Sequence, residues 1–179
     1  MKQVLGFLGG AVGMLMLALV TLVLMPYFLL PSKAETVALP PEVMRGRKEY
    51  ISLGCMYCHS QQPRPIAVSP ADQAWGWGKP EDPSFYSGQA PHLLGTMRTG
   101  PDLLHIADRQ PSREWHLLHL FNPREVVPES IMPSYPFLFS QVDEAGDDVI
   151  TLRDGRHFHP KPEAEDLLAY LLSLKEKDK

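Results

Sequence analysis

From Val4 to Leu30 the chain reads VLGFLGGAVGMLMLALVTLVLMPYFLL, with no charged residue. A bilayer core of ~30 Å is crossed by ~20 apolar helical residues, so this stretch is long enough to span a membrane. A cleavable signal has a shorter apolar core of ~7–15 residues and small residues before the cut. The run here is longer, and the PSKAET after it is a poor cleavage site, so the expectation is an uncleaved anchor over residues 1–33. Lys2 and Lys33 flank it almost evenly and do not set its orientation. Gly6, Gly9, Gly10 and Gly13 give the helix a small-residue side. Close helix contact in lipid explains that side, and so does the ordinary frequency of glycine in membrane helices.

The 179 residues leave room for one modest domain beyond the anchor. The chain has 17 basic and 21 acidic residues, and Lys2 and Lys33 are the only charges ahead of Ala34. The remainder is therefore acidic, which argues against nucleic acid as a partner and permits a cationic protein partner. An ordinary acidic surface fits equally well. PSKAETVALPPE (31–42) reads as extended, and residues 34–42 as a linker to a domain at 43–179.

Within that domain the spacing of Val43, Arg47, Tyr50 and Ile51 predicts a helix over 43–53, with Gly54 as its stop. Residues 63–97 are rich in proline and glycine, hold Trp75 and Trp77, and show no period. A loop of that length is often functional. PSREWHLLHLFNP (111–123) predicts a helix capped by Ser112 and ended near Pro123. DVITLRDGRHF (148–158) alternates about Asp154-Gly155, a hairpin signal. PEAEDLLAYLLSLK (162–175) begins acidic and ends basic, as the helix dipole favours. The fold expected is mainly α, with one N-terminal transmembrane helix, a long loop and a small β-hairpin.

The chain's two cysteines stand in Cys55-Met56-Tyr57-Cys58-His59. A structural zinc site needs four ligands, and only His157 and His159 form a nearby pair to complete one. A thioredoxin-like dithiol needs a β-α-β setting, which the pattern lacks. Cys-x-x-Cys-His is also the attachment signature of haem c, in which both thiols bond the porphyrin and the histidine binds the iron. The membrane anchor, the helix leading into the motif and the lack of other cysteines favour this last reading, with one covalently bound haem.

Haem iron then needs a sixth ligand or an open position. Met1, Met14, Met16 and Met25 lie in the anchor, and Met56 sits between the tethered cysteines. Met132, in the proline-rich ESIMPSYPFL, is the candidate that a wrapping loop brings to the far face. Met44, Met97, His92, His105, His116 and His119 are its rivals, each with a bland reading as core or surface.

Several segments together resemble a known family: GRKEYISLGCMYCHSQQPRP, RTGPDL, REWHLLHLFNPREVVPESIMPSYPFL and DLLAYLLSLK. They are similar to the mono-haem cytochrome c subunit, subunit II, of C-family, cbb-type haem–copper cytochrome c oxidases. Cys-x-x-Cys-His, TGPDL and the closing AYL helix also resemble class I cytochromes c at large. The resemblance implies a class I cytochrome c-like domain with Cys55 and Cys58 bonded to the haem, His59 proximal and Met132 distal. It implies that the Pro101 carbonyl accepts the imidazole N–H and that the first and last helices cross at Gly46 near Tyr170. Arg98 and Arg64 become candidates to neutralise the haem propionates, or else surface charges. Residues 66–97 depart from the family pattern, and the 148–158 hairpin reads as an insertion. Asp143, Glu144, Asp147 and Asp148 read as a solvated loop.

The resemblance further implies a domain on the periplasmic side of a bacterial cytoplasmic membrane. Electrons would pass from a multi-haem or small cytochrome c donor, through this haem, to the catalytic haem–copper subunit. No Ser-His-Asp set or carboxylate pair suggests catalysis by the chain itself. Two other readings stand beside this one. The first is a membrane-tethered cytochrome c carrier for another complex, such as a nitric oxide reductase. The second is a haem peroxidase or gas sensor with an open sixth position.

Overall fold

Proline starts, glycine stops and one apolar run divide this chain into its helices. In this computed structural model, which describes residues 2–29, 39–86, 88–95 and 97–176, the chain divides into two compact units. One comprises residues 1–36 with 82–90, the other residues 37–81 with 91–179. Lys33 and residues 34–38 of the expected linker lie outside the described residues.

The first unit is dominated by α1 (Lys2–Leu29), an apolar helix whose side chains are exposed along its length. Val20–Leu24 is wound as a π-helical turn, and Thr21 Oγ1 donates to the Leu17 carbonyl beside it at 2.8 Å. A hydroxyl that bonds back to its own helix satisfies itself without a partner, which suits a lipid-facing position. Residues Pro83–Tyr86 form a single short helical turn.

In the second unit α2 (Pro41–Ser52) begins with proline at its first position and stops at Gly54, whose φ is 74°. Its buried face is Val43, Gly46 and Tyr50. The closing helix, α4 (Pro162–Ser173), has Glu163 and Glu165 in its first turn and buries Ala164, Leu167, Leu168, Tyr170 and Leu171. The two helices cross where α2 has no side chain. A Cβ on Gly46 would overlap the Asp166 carbonyl and come within 2.8 Å of Tyr170 Cβ. One turn on, the Tyr50 and Tyr170 rings meet edge to face at 5.4 Å. Arg45 adds a two-point pair to the Asp166 carboxylate at 2.7 and 2.8 Å. That pair is solvent-exposed and contributes little.

Between them in sequence comes α3 (Arg113–Phe121), where Ser112 Oγ accepts the Trp115 N–H at 3.2 Å as the expected cap. Its Phe121 packs on Phe139 and Phe158, at 5.3 and 4.4 Å. Those two residues belong to a three-stranded antiparallel sheet of β1 (Phe139–Val142), β2 (Ile150–Thr151) and β3 (His157–Pro160), ordered β1-β3-β2. Phe158 faces both Ile150 and Gln141, so the predicted hairpin exists but gains a third strand. The hairpin is also no surface appendage, since Phe139, Ile150 and Phe158 all belong to the core. β1 escaped the sequence pattern because it is four residues long and comes soon after Pro136. The 63–97 stretch contains, besides the turn at 83–86, one further short helix at Pro70–Ala74.

Gly46→Ala forces a methyl into backbone rather than into a yielding side chain. We expect a loss of about 3 kcal/mol or more, the upper end of the usual overpacking cost, read from the denaturant midpoint of the full chain. Arg45→Ala, which removes only the exposed pair, leaves that midpoint close to wild type.

Candidate functional site

The residues after α2 wind into a tight turn. Cys58 and His59 both donate their N–H to the Cys55 carbonyl, at 3.2 and 3.0 Å, so the two thiols and the imidazole emerge from a single coil. The next residues run alongside 100–104 and are stitched to them. Gly100 N–H donates to the Cys58 carbonyl at 2.9 Å, and Leu103 N–H to the Ser60 carbonyl at 2.8 Å. Between those two bonds, His59 Nδ1 lies 2.8 Å from the Pro101 carbonyl. A carbonyl only accepts, so Nδ1 carries the proton and Nε2 keeps its lone pair.

Each residue of Gly100-Pro101-Asp102 has a part in this arrangement. A Cβ on Gly100 would sit in the His59 ring, 2.7 Å from Nδ1 and 2.9 Å from Nε2. Pro101 supplies the carbonyl. Asp102, fully buried, accepts from Ser60 Oγ at 2.5 Å, Gln62 N–H at 2.7 Å and Leu104 N–H at 2.9 Å. Sequence reading found only Pro101, although the signal for Gly100 and Asp102 was contiguous with it.

Cys55, Cys58, His59 and Met132 line one cavity of about 910 Å³. Its walls are largely apolar, with Leu103, Ile106, Leu120, Leu167 and Leu171 among them. That volume lies near the upper end of the ~300–1,000 Å³ usual for small-molecule sites. Two thiols at one edge, an imidazole lone pair and a thioether in an apolar slot fit the donor set of a covalently held haem. The other readings of the cysteines fit less well. Burial pushes the Cys55 thiol up to about 11, the reverse of the acidic thiol that a redox dithiol needs. His157 is in β3, its Nδ1 2.9 Å from Thr151 Oγ1, and among the described residues no three His, Cys, Asp or Glu side chains gather to hold a metal ion.

The rivals to Met132 separate by position. Met44 and Met97 are exposed, and neither they nor His92 and His105 line the cavity. His105 is buried, with Nε2 donating to the Lys79 carbonyl at 3.0 Å. His116 and His119 do line it. His116 commits Nε2 to the Gln110 carbonyl at 2.8 Å. His119 stacks on Trp115 with centroids 4.6 Å apart, and its buried Nδ1 has no partner among the described residues. Burial, followed by the neighbouring His59 and His116, lowers the His119 pKa to about 4. Burial likewise lowers that of His59, against the pull of the Pro101 carbonyl and Asp102, so its imidazole is held neutral.

Neither Arg98 nor Arg64, the propionate candidates, is among the residues that line the cavity. Arg98 NH1 grips both oxygens of the fully buried Asp72 at 2.6 Å, and its guanidinium lies 5.0 Å from the Trp77 ring centroid. Arg64 contributes its backbone N–H to the same carboxylate at 2.7 Å. Burial raises the Asp72 pKa, but Arg98, Ser69 and the Arg64 N–H outweigh it and hold the carboxyl below its ordinary range. Arg98 is thus spent on a buried carboxylate, which no local pattern in 63–97 announced.

Against known proteins, the family model described as cytochrome c oxidase, mono-heme subunit/FixO, matches residues 5–158. No curated protein matches the chain.

The cavity histidines carry a pH signature. An unfolded histidine titrates near ~6.5, well above folded His119, so the unfolded chain takes the proton first as pH falls. Stability from neutral His119 is full above about 6.5 and drains away down to about 4. Urea midpoints measured stepwise across that window therefore fall less steeply in His119→Gln than in wild type.

Proposed function

The chain belongs to the FixO family, the mono-haem subunits of cytochrome c oxidase, and from that premise we propose that it holds one haem c and passes electrons to the catalytic haem–copper subunit. Cys55 and Cys58 would bond the porphyrin, and His59 Nε2 and Met132 Sδ would bind its iron. The domain over 43–179 is a class I cytochrome c-like fold, tied by the linker at 34–42 to the anchor at 1–33. It lies on the periplasmic side of the cytoplasmic membrane and receives electrons from a multi-haem or small cytochrome c. The observation that carries this reading is the His59 Nδ1–Pro101 contact of 2.8 Å, which turns Nε2 outward as a ligand, on a cavity shared with both thiols and Met132.

When bound, the haem supplies a one-electron couple, and histidine–methionine ligation sets that couple on the high-potential side. The protein's part is to bind, orient and shield it. The apolar walls contributed by α3 and α4 exclude water and favour the less charged, reduced state. The Pro101 carbonyl fixes the plane of the imidazole. Tyr135, half-buried on the cavity wall, has its N–H on the Leu120 carbonyl at 2.9 Å and so ties the Met132 segment to α3.

Purification in mild detergent tests the assignment. The chain should carry a haem that survives acid-acetone, give a pyridine haemochrome, and migrate with a haem–copper subunit. Isolation alone with full carrier activity would instead favour a tethered shuttle. Met132→Leu should abolish the methionine-to-iron charge-transfer band of the oxidised form, whereas His119→Gln leaves it in place. The opposite pattern removes Met132 from the ligand set.

A further inference from the structure

The buried ions beside the proximal histidine touch neither the cavity nor the groups proposed to hold the haem. Asp72 and Asp102 are both fully buried, and Arg98 keeps only 13 % of its side chain exposed. They come from two separate segments, and Arg98 and Asp102 converge on Ser60-Gln61-Gln62, the residues next after His59, with Asp72 holding Arg98 from behind. Ser60 is itself fully buried. Its hydroxyl donates to Asp102 and accepts from Arg98 Nε at 3.0 Å, so both of its bonding directions are used. Gln62 is gripped from two sides as well, its N–H on Asp102 at 2.7 Å and its carbonyl on Arg98 NH2 at 2.6 Å. The chain of contacts runs Asp72, Arg98, Ser60, Asp102, and ends one residue from the carbonyl that orients His59.

We infer that Asp72, Arg98, Ser60 and Asp102 are positioning residues for the proximal imidazole, and that they set the reduction potential of the haem; the inference rests on the proposed haem c function. Their physical effect is positional. They hold 59–62 against 100–104, so the Nδ1–H to Pro101 bond stays short and makes Nε2 a stronger donor than a ring without that bond, which favours ferric iron. The charges on this side nearly balance, because Arg109 NH2 donates to the Asp102 carbonyl at 2.5 Å on the same side as the Arg98 pair. The network therefore keeps the potential lower than a loosened site would allow. A simpler packing role would call for apolar residues here, since buried ions are costly to desolvate and often replaceable without loss of stability.

Ser60→Ala separates positioning from charge, because it removes one hydroxyl and no net charge. Asp72→Asn changes both. Each is made in the full-length chain in detergent, with haem content, midpoint potential and thermal unfolding measured together. The expected result is an intact haemochrome and an upward shift in both variants. In Ser60→Ala the shift should be about tenfold in the reduction equilibrium, equal to about 59 mV for one electron. Should Asp72→Asn fail to fold, Ser60→Ala decides alone. A Ser60→Ala protein that binds haem, unfolds at a lower temperature and keeps the wild-type potential overturns the inference, because that is what packing alone predicts. A wild-type chain with no haemochrome would instead overturn the proposed haem c function, and this inference with it.

Discussion

The hydrogen bond from His59 Nδ1 to the Pro101 carbonyl is the contact on which the rest of the site depends. It chooses the tautomer, aims Nε2, and is flanked by the Cys58–Gly100 and Ser60–Leu103 backbone bonds. None of these is strong alone, since a typical net contribution is about 1 kcal/mol. Together they fix a short segment in one register, and a ring held at its backbone and at Nδ1 has little freedom left. Gly100 is the steric condition for this, because any side chain there would occupy the ring's own volume.

The two sides of that imidazole differ in character. Behind it lie the fully buried Asp72 and Asp102 with Arg98, linked by charge-assisted bonds. In front lies a largely apolar cavity whose histidines are kept neutral by burial. A cofactor seated there meets fixed charge on one side and low dielectric on the other. Such an arrangement limits solvent rearrangement around an electron couple, which is the property the proposed relay requires. α1, apolar and exposed along its length, anchors the chain in a membrane.

Distant parts of the chain supply the walls. α2 delivers the motif, and α4 can lie against it only because Gly46 leaves room for the Asp166 carbonyl. From that crossing α4 presents Leu167 and Leu171 to the cavity, and Tyr170 Oη donates to Gln61 Oε1 at 2.9 Å, just past the histidine. The sheet serves the site indirectly. Phe139 and Phe158 hold Phe121, and with it the α3 face that carries Trp115, His116 and His119.

Whatever local physics controls was legible in the order of residues alone. The apolar run makes a membrane helix, the Ser112 cap and the leucine stripe of 162–175 make their helices, and Asp154-Gly155 makes a turn between β2 and β3. Cys55, Cys58 and His59 stand close enough in sequence to share one turn, and the structure coils them there. Which distant groups meet was settled by packing. Packing added β1, which is too short and too close to proline to announce itself. It brought Met132, His116 and His119 to the cavity while leaving Met44, Met97 and His92 off its lining. It also took Arg98 away from the cavity to Asp72, a pairing across 26 residues. A cap or a periodic face is encoded within a few residues of itself. The partner of a buried charge is fixed only when separate segments pack, and a string of residue types does not carry that information.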